Sequence, residues 1–161
     1  MTATAPGGHV FLAAPFASWM DPEVGALQPE RQLLLERLIK VVEQHGKKVY
    51  NAHRREAWGS EWMPPETCVP LDFEGVSTAA LLVAIPGVPI SGGVHIELGW
   101  ASALKVPVLL LIEEGTDCSS LVVGLDSVTR CTTVRWSTAD HCVHLFASVL
   151  GELLSNEKGE K

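Results

Sequence analysis

Hydrophobic positions along the chain come in two textures, short continuous apolar runs and longer segments with helical spacing. His9 to Ala14 (HVFLAA), Ala80 to Ile85 (ALLVAI) and Val106 to Ile112 (VPVLLLI) are continuous runs. Such runs are what parallel strands show when helices cover both faces of their sheet. Lys48 to Asn51 (KVYN) and Cys131 to Trp136 (CTTVRW) are shorter or more polar and read as strands nearer the edges. Between the strands, Glu30 to His45 carries Leu34, Leu35, Leu38, Val41 and Val42 at amphipathic spacing, with Gly46 as its stop. Further helices are predicted from Pro64 to Thr78, Gly93 to Leu104 and Thr138 to Leu154, with a short helical turn over Ser120 to Leu125. Pro15 to Pro29, Ala52 to Gly59 and Glu113 to Ser119 read as loops.

This alternation predicts an α/β fold: a doubly wound, flavodoxin-like, five-stranded parallel sheet of order 2-1-3-4-5 with helices on both faces. The whole chain, 1–161, forms a single domain in this reading, with flexible ends at 1–8 and 155–161. In such a sheet the loops after the first and third strands meet at the switch point, where ligands bind.

Composition narrows the partners. A net charge of −7 argues against a nucleic-acid polymer but leaves room for a small anionic ligand in a local pocket. The apolar runs are too short to span a bilayer, and Met1 to Gly8 lacks the basic start and apolar core of a secretory leader. A soluble, cytoplasmic protein is expected, with its four scattered cysteines (Cys68, Cys118, Cys131, Cys142) as free thiols. The His141-Cys142-Val143-His144 run has no second ligand cluster, so no metal is expected, and no cofactor either.

Candidate chemistry centres on Pro86-Gly87-Val88-Pro89-Ile90-Ser91-Gly92-Gly93-Val94-His95-Ile96-Glu97-Leu98-Gly99-Trp100-Ala101. A strand–glycine loop–helix junction aims backbone N–H groups and the positive helix end into one crevice, which suits phosphate. Neither G-x-G-x-x-G, nor a P-loop, nor a G-x-S-x-G elbow occurs. Glu97 falls on a helix face with Gly93, Trp100, Ala101 and Leu104, otherwise apolar and expected to pack on the sheet. It is either a satisfied buried carboxylate or a nucleophile able to attack an anomeric carbon, with Asp72 as the second carboxyl handling protons. His53, Arg54 and Arg55 follow the second strand directly, where a charged turn or a ligand-facing loop fits. Phe16, Trp19, Trp58 and Trp62 can wall a base or simply fill a core or lid.

Gly93-Val94-His95-Ile96-Glu97-Leu98-Gly99-Trp100-Ala101 after an apolar strand, with Asp72 eight residues before that strand's start at Ala80, resembles the nucleoside 2-deoxyribosyltransferase family. The resemblance covers nearly the whole chain. Val49-Tyr50-Asn51-Ala52-His53-Arg54-Arg55-Glu56-Ala57-Trp58-Gly59 and Pro86-Gly87-Val88-Pro89 look like the nucleotide-acting branch, the CMP N-glycosidases of mildiomycin- and blasticidin-type antibiotic pathways. The resemblance implies Glu97 as nucleophile and Asp72 as its catalytic partner. Substrate contacts are expected from Phe16, His53, Arg54, Arg55, Trp58, Ser91 and Gly93. Ser91 stands where nucleoside-acting members have an Asp that reads a free 5′-hydroxyl; a Ser hydroxyl accommodates a phosphate that an Asp would repel. The resemblance also implies a homodimer in which Ser119 and Ser120 complete the neighbouring subunit's pocket. Two positions depart from the pattern: Ala17, where several nucleotide-acting members carry an Arg, and Ala80, in place of an acidic residue. Unless Arg54 or Arg55 substitutes for it, the missing Arg weakens the phosphate and substrate assignment and points to a different base or a modified pyrimidine. Hydrolysis of CMP or a 5-substituted CMP is the expected reaction. Base exchange, a phosphoribohydrolase and a non-catalytic nucleotide-binding module remain the alternatives.

Overall fold

The structure is a computed structural model that describes residues 8–88 and 90–155. In chain order the elements are β1 (Val10–Ala13), β2 (Met20–Asp21), β3 (Ala26–Leu27), α1 (Pro29–Gln44), β4 (Val49–Tyr50), α2 (Ala52–Arg55), α3 (Pro65–Ser77), β5 (Leu81–Ala84), α4 (Gly92–Ala103), β6 (Val108–Glu113), α5 (Ser120–Val123), β7 (Cys131–Trp136) and α6 (Ala139–Ser155). Five strands form one parallel sheet, ordered β4-β1-β5-β6-β7, which is the predicted 2-1-3-4-5. The expectation of flexible ends and the Pro89 position of the loop motif lie largely outside the described residues.

Period-two alternation sends each central strand's side chains to opposite layers. Val10, Leu12, Leu81, Val83, Leu109 and Leu111 meet Leu35 and Leu38 of α1 and Phe146 and Leu150 of α6. Phe11, Ala13, Leu82, Ala84, Val108 and Leu110 meet Val76 of α3 and Val94, Leu98 and Ala101 of α4. Burial on both faces is why the three central strands read as unbroken apolar runs. Truncating a fully buried side chain such as Leu35 to Ala costs about 2–5 kcal/mol.

Three segments differ from the sequence reading. The Pro15–Pro29 loop holds a 3-10 turn at Ala17–Trp19 and a small antiparallel pair, Met20↔Leu27 and Asp21↔Ala26. Residues 52–59 are not a loop. Asn51 caps α2, its side-chain oxygen accepting from the Arg54 N–H at 2.9 Å, and a 3-10 turn at Ala57–Gly59 follows. Ala57 and Trp58 there adopt left-handed backbone (φ 47° and 58°), which turns the chain back over α2. Finally, Glu97 does not lie on the face of α4 that packs on the sheet. That face is Val94, Leu98 and Ala101, while Gly93 and Leu104 are exposed and Trp100 packs edge-on against Phe73 of α3 at 5.3 Å.

The two loops at the switch point are fitted to each other. Gly87, after β5, has φ +82°, and a Cβ there would stand 2.2 Å from Cγ of Pro15, after β1. Only glycine allows both the backbone conformation and this approach. Among the described residues, no helix is long and apolar enough to cross a membrane.

Candidate active site

A cleft of about 330 Å³ opens at the carboxyl ends of β1, β4 and β5. Ala14 and Phe16 line it from the segment after β1, and Ala52, Glu56, Trp62 and Met63 from the segment after β4. α3 adds Cys68 and Asp72, and α4 adds Ser91, Gly93, Val94 and Glu97. This is where a doubly wound sheet places its ligand.

α4 brings two features to the cleft. Its N-cap Ser91 accepts from the Val94 N–H at 3.4 Å, leaving first-turn amides that have no intrahelical acceptor. A Cβ on Gly92 would meet nothing within 4 Å, and one on Gly93 only the Ser91 hydroxyl at 3.9 Å. Packing therefore does not demand either glycine. One turn further on, Glu97 faces the cleft and makes no hydrogen bond or ion pair with any described residue. Burial pushes its carboxyl up to about 8, the Asp72 charge adds to the rise, and the Arg55 charge partly offsets it.

Asp72 is held instead of free. Its Oδ1 accepts from Arg55 Nη1 at 2.8 Å and from the Tyr50 hydroxyl at 3.2 Å. Arg55 also bonds the Tyr50 oxygen, and its Nη2 donates to Glu56 Oε1 at 2.7 Å. Burial disfavours the Arg55 charge, yet the hydrogen bonds to Asp72 and Glu56 raise its pKa above the ordinary guanidinium value. Burial and the Asp72 charge push the Tyr50 phenol up to about 12, so it remains a proton donor to Asp72.

The predicted site residues separate into groups. Glu97, Asp72, Phe16, Ser91 and Gly93 share the cleft. Arg55 stands behind it, reaching the cleft through Asp72 and Glu56. His53 is buried at 1% exposure, stacks on Phe16 at 4.5 Å, and its Nε2–H donates to Pro15 O at 2.9 Å. Burial lowers its pKa to about 4, so the ring is neutral and braces the wall from behind. Arg54 turns outward to Glu43 at 2.9 Å, and Trp58 packs on the core beside α1. Neither Arg54 nor Arg55 lines the cleft in place of the Arg missing at the exposed Ala17. Trp62 tilts onto Phe16 with ring centres 4.8 Å apart, whereas Trp19 is core. Ser119 caps α5, and Ser120 lines a different cavity, of about 530 Å³, with His95 and Leu98. Glu56 and Met63 are cleft residues that the sequence reading did not single out. Glu56 directly follows His53-Arg54-Arg55 and so looks like part of a solvated charge run.

Comparison with solved structures places this architecture. BlsM, solved in solution, is 38% identical, with 96% of each chain covered and a TM-score of 0.80. The CMP N-glycosidase BcmB of Clostridium botulinum is 28% identical over 85% of this chain and 96% of its own, with a TM-score of 0.64. A 2-deoxyribosyltransferase of Bacillus psychrosaccharolyticus shares the fold at 17% identity, covering 82% of this chain and 88% of that one, with a TM-score of 0.55. No family model matches the sequence, and no curated protein does. Fold and neighbours together define a nucleoside-processing enzyme built on a doubly wound sheet. Within that class the chain belongs to the nucleoside 2-deoxyribosyltransferase family, as its 38% identity to BlsM over 96% of both chains shows.

Proposed function

We propose that the protein is a nucleoside 5′-monophosphate N-glycosidase that converts CMP, or a 5-substituted CMP, to free base and ribose 5-phosphate. The observation that carries this reading is the pairing of Glu97, without a hydrogen-bond partner among the described residues, with a clamped Asp72 in one cleft. The CMP N-glycosidase neighbour at 28% identity supports the substrate class.

The 5′-phosphate sits against the Ser91 hydroxyl and the first amides of α4, whose glycines leave room for it. Phe16 and Trp62, in contact with each other, form one wall against which the base lies. A Glu97 carboxylate oxygen then attacks C1′ and the C1′–N bond breaks. Its electron pair leaves with the base, which takes up a proton. Water next attacks C1′ of the Glu97 ester, giving up a proton as ribose 5-phosphate departs and the carboxylate is restored. Asp72, held by Arg55 and Tyr50, is placed to handle protons and to stabilise the cationic sugar.

A second copy of the chain completes the cleft with Ser119 and Ser120 in this reading. Leu121 (83% exposed), Val123 (58%) and Val128 (55%) lie close to these serines and form an apolar surface suited to such a homodimer. Chromatography of base released from ribo- and deoxyribonucleoside monophosphates, with free nucleosides as controls, tests the proposal. Release from CMP but not cytidine is expected. Adding a second free base and finding an exchanged nucleotide would make the enzyme a transferase instead.

A further inference from the structure

The cleft contains a third carboxylate that this chemistry leaves unused. Glu56 ends α2 with a side chain only 6% exposed, yet it lines the cleft beside Phe16, Trp62 and Met63. Burying a carboxylate is costly unless it is paired, and Glu56 is fixed through both oxygens. Oε1 accepts from Arg55 Nη2 at 2.7 Å, and Oε2 accepts from the Met63 backbone N–H at 3.3 Å. The other prong of Arg55 holds Asp72. One guanidinium thus orients a carboxylate for the sugar and a second carboxylate on another wall of the same cleft.

That second wall is a continuous unit. Phe16 is backed by His53 at 4.5 Å and touched by Trp62 at 4.8 Å, and Met63, next in sequence, bonds Glu56. The phosphate cradle belongs to a different element, the N-terminus of α4. A flat base lying against Phe16 and Trp62 therefore presents its edge to Glu56. Each carboxylate oxygen retains acceptor capacity beyond the one bond it makes here, and a carboxylate paired with a guanidinium has no proton to donate. It accepts a hydrogen bond from an amino group and repels a carbonyl oxygen. Pyrimidine nucleotides differ in this respect at position 4 of the ring, amino in cytosine and oxo in uracil.

We propose that Glu56 reads the exocyclic amino group of the base and thereby selects cytosine-type over uracil-type nucleotides; this rests on the cleft being a nucleotide N-glycosidase site. The preference is a property of the side chain's hydrogen-bond polarity, since a carboxylate bonded to an amine is a matched pair and a carboxylate facing an oxo group is not.

The test measures kcat/KM for base release from CMP and UMP with the wild type, Glu56→Asp and Glu56→Gln. The wild type is expected to favour CMP by about tenfold or more. Glu56→Asp should retain the preference. Glu56→Gln, whose amide both donates and accepts, should reduce the CMP/UMP ratio by about tenfold or more. A wild type that cleaves CMP and UMP equally well overturns the inference without recourse to any variant. So does a folded Glu56→Gln that keeps the wild-type ratio. Base release from neither nucleotide by the wild type instead overturns the glycosidase reading on which the inference stands.

Discussion

Arg55 Nη1 lies 2.8 Å from Asp72 Oδ1, so a guanidinium on α2 and a carboxylate on α3 tie two walls of the cleft together. The tie is bidentate in its consequences, because the same guanidinium holds Glu56 at 2.7 Å. Removing it leaves two largely buried carboxylates without their counter-charge. Arg55→Ala is expected to lower stability by about 2–3 kcal/mol, less than for a fully buried pair because Arg55 keeps 20% exposure. Arg55→Lys should recover only part of this, since a compact ammonium lacks the planar guanidinium fork whose two ends hold Asp72 and Glu56. Urea unfolding of the three proteins checks the order wild type, Lys, Ala.

The Glu97 carboxyl predicts the direction of the pH profile. Burial raises it from the ordinary 4.5 to about 8, so the ionised fraction grows as pH rises toward 8. A nucleophile must be ionised, and kcat/KM reports the free enzyme. Base release should therefore increase up to about tenfold per pH unit below 8 and level off above it. The opposite slope, falling as pH passes 8, would recast Glu97 as a proton donor, because separated carboxyl pKa values are what assign acid and base roles. Initial rates at subsaturating CMP between pH 5.5 and about 9 read this directly.

At Gly93 the demands of fold and of substrate diverge. An added methyl would meet only the Ser91 hydroxyl, at 3.9 Å. Gly93→Ala is expected to raise stability by about 0.5–1 kcal/mol, since alanine restricts the unfolded chain and favours helix. In the proposed binding mode the same methyl intrudes on the 5′-phosphate. KM for CMP should rise about tenfold while the melting temperature increases; a fall in both would place the cradle elsewhere.

Much of this architecture was legible in the sequence, and the misses have physical causes. The doubly covered parallel sheet was legible in the unbroken apolar runs at His9–Ala14, Ala80–Ile85 and Val106–Ile112, and the strand order in the alternation of strands with helices. Glu97 and Asp72 were readable as a pair, and the structure places both in the cleft. As sequence, residues 53–55 form one basic group, but their helix sends consecutive side chains about 100° apart. His53 thus points inward to Pro15 O, Arg54 outward to Glu43, and Arg55 to Asp72. Glu56 escaped notice because its burial depends on the chain turning back through the left-handed Ala57 and Trp58, positions with no glycine to signal it.

His53 gives the fold an acid-sensitive point outside the chemistry. Its folded pKa is lowered to about 4 by burial, against an ordinary 6.5 when unfolded. The unfolded chain therefore binds a proton first, and the stability His53 contributes is complete above about 6.5 and lost as pH falls toward 4. The slope from this one group approaches 1.4 kcal/mol per pH unit in that window, on the order of one proton. Denaturant midpoints at pH 7, 6 and about 5 should show His53→Gln with the shallower decline, even though its stability at pH 7 is lower for want of the Phe16 stack.

Base release from CMP by Glu97→Ala, measured beside the wild type by chromatography at pH 8, tests the account at its centre. If Glu97 is the nucleophile, its loss with the fold intact should drop the rate by about a thousandfold or more, because no glycosyl ester could form. Release at the wild-type rate would contradict the assignment of Glu97.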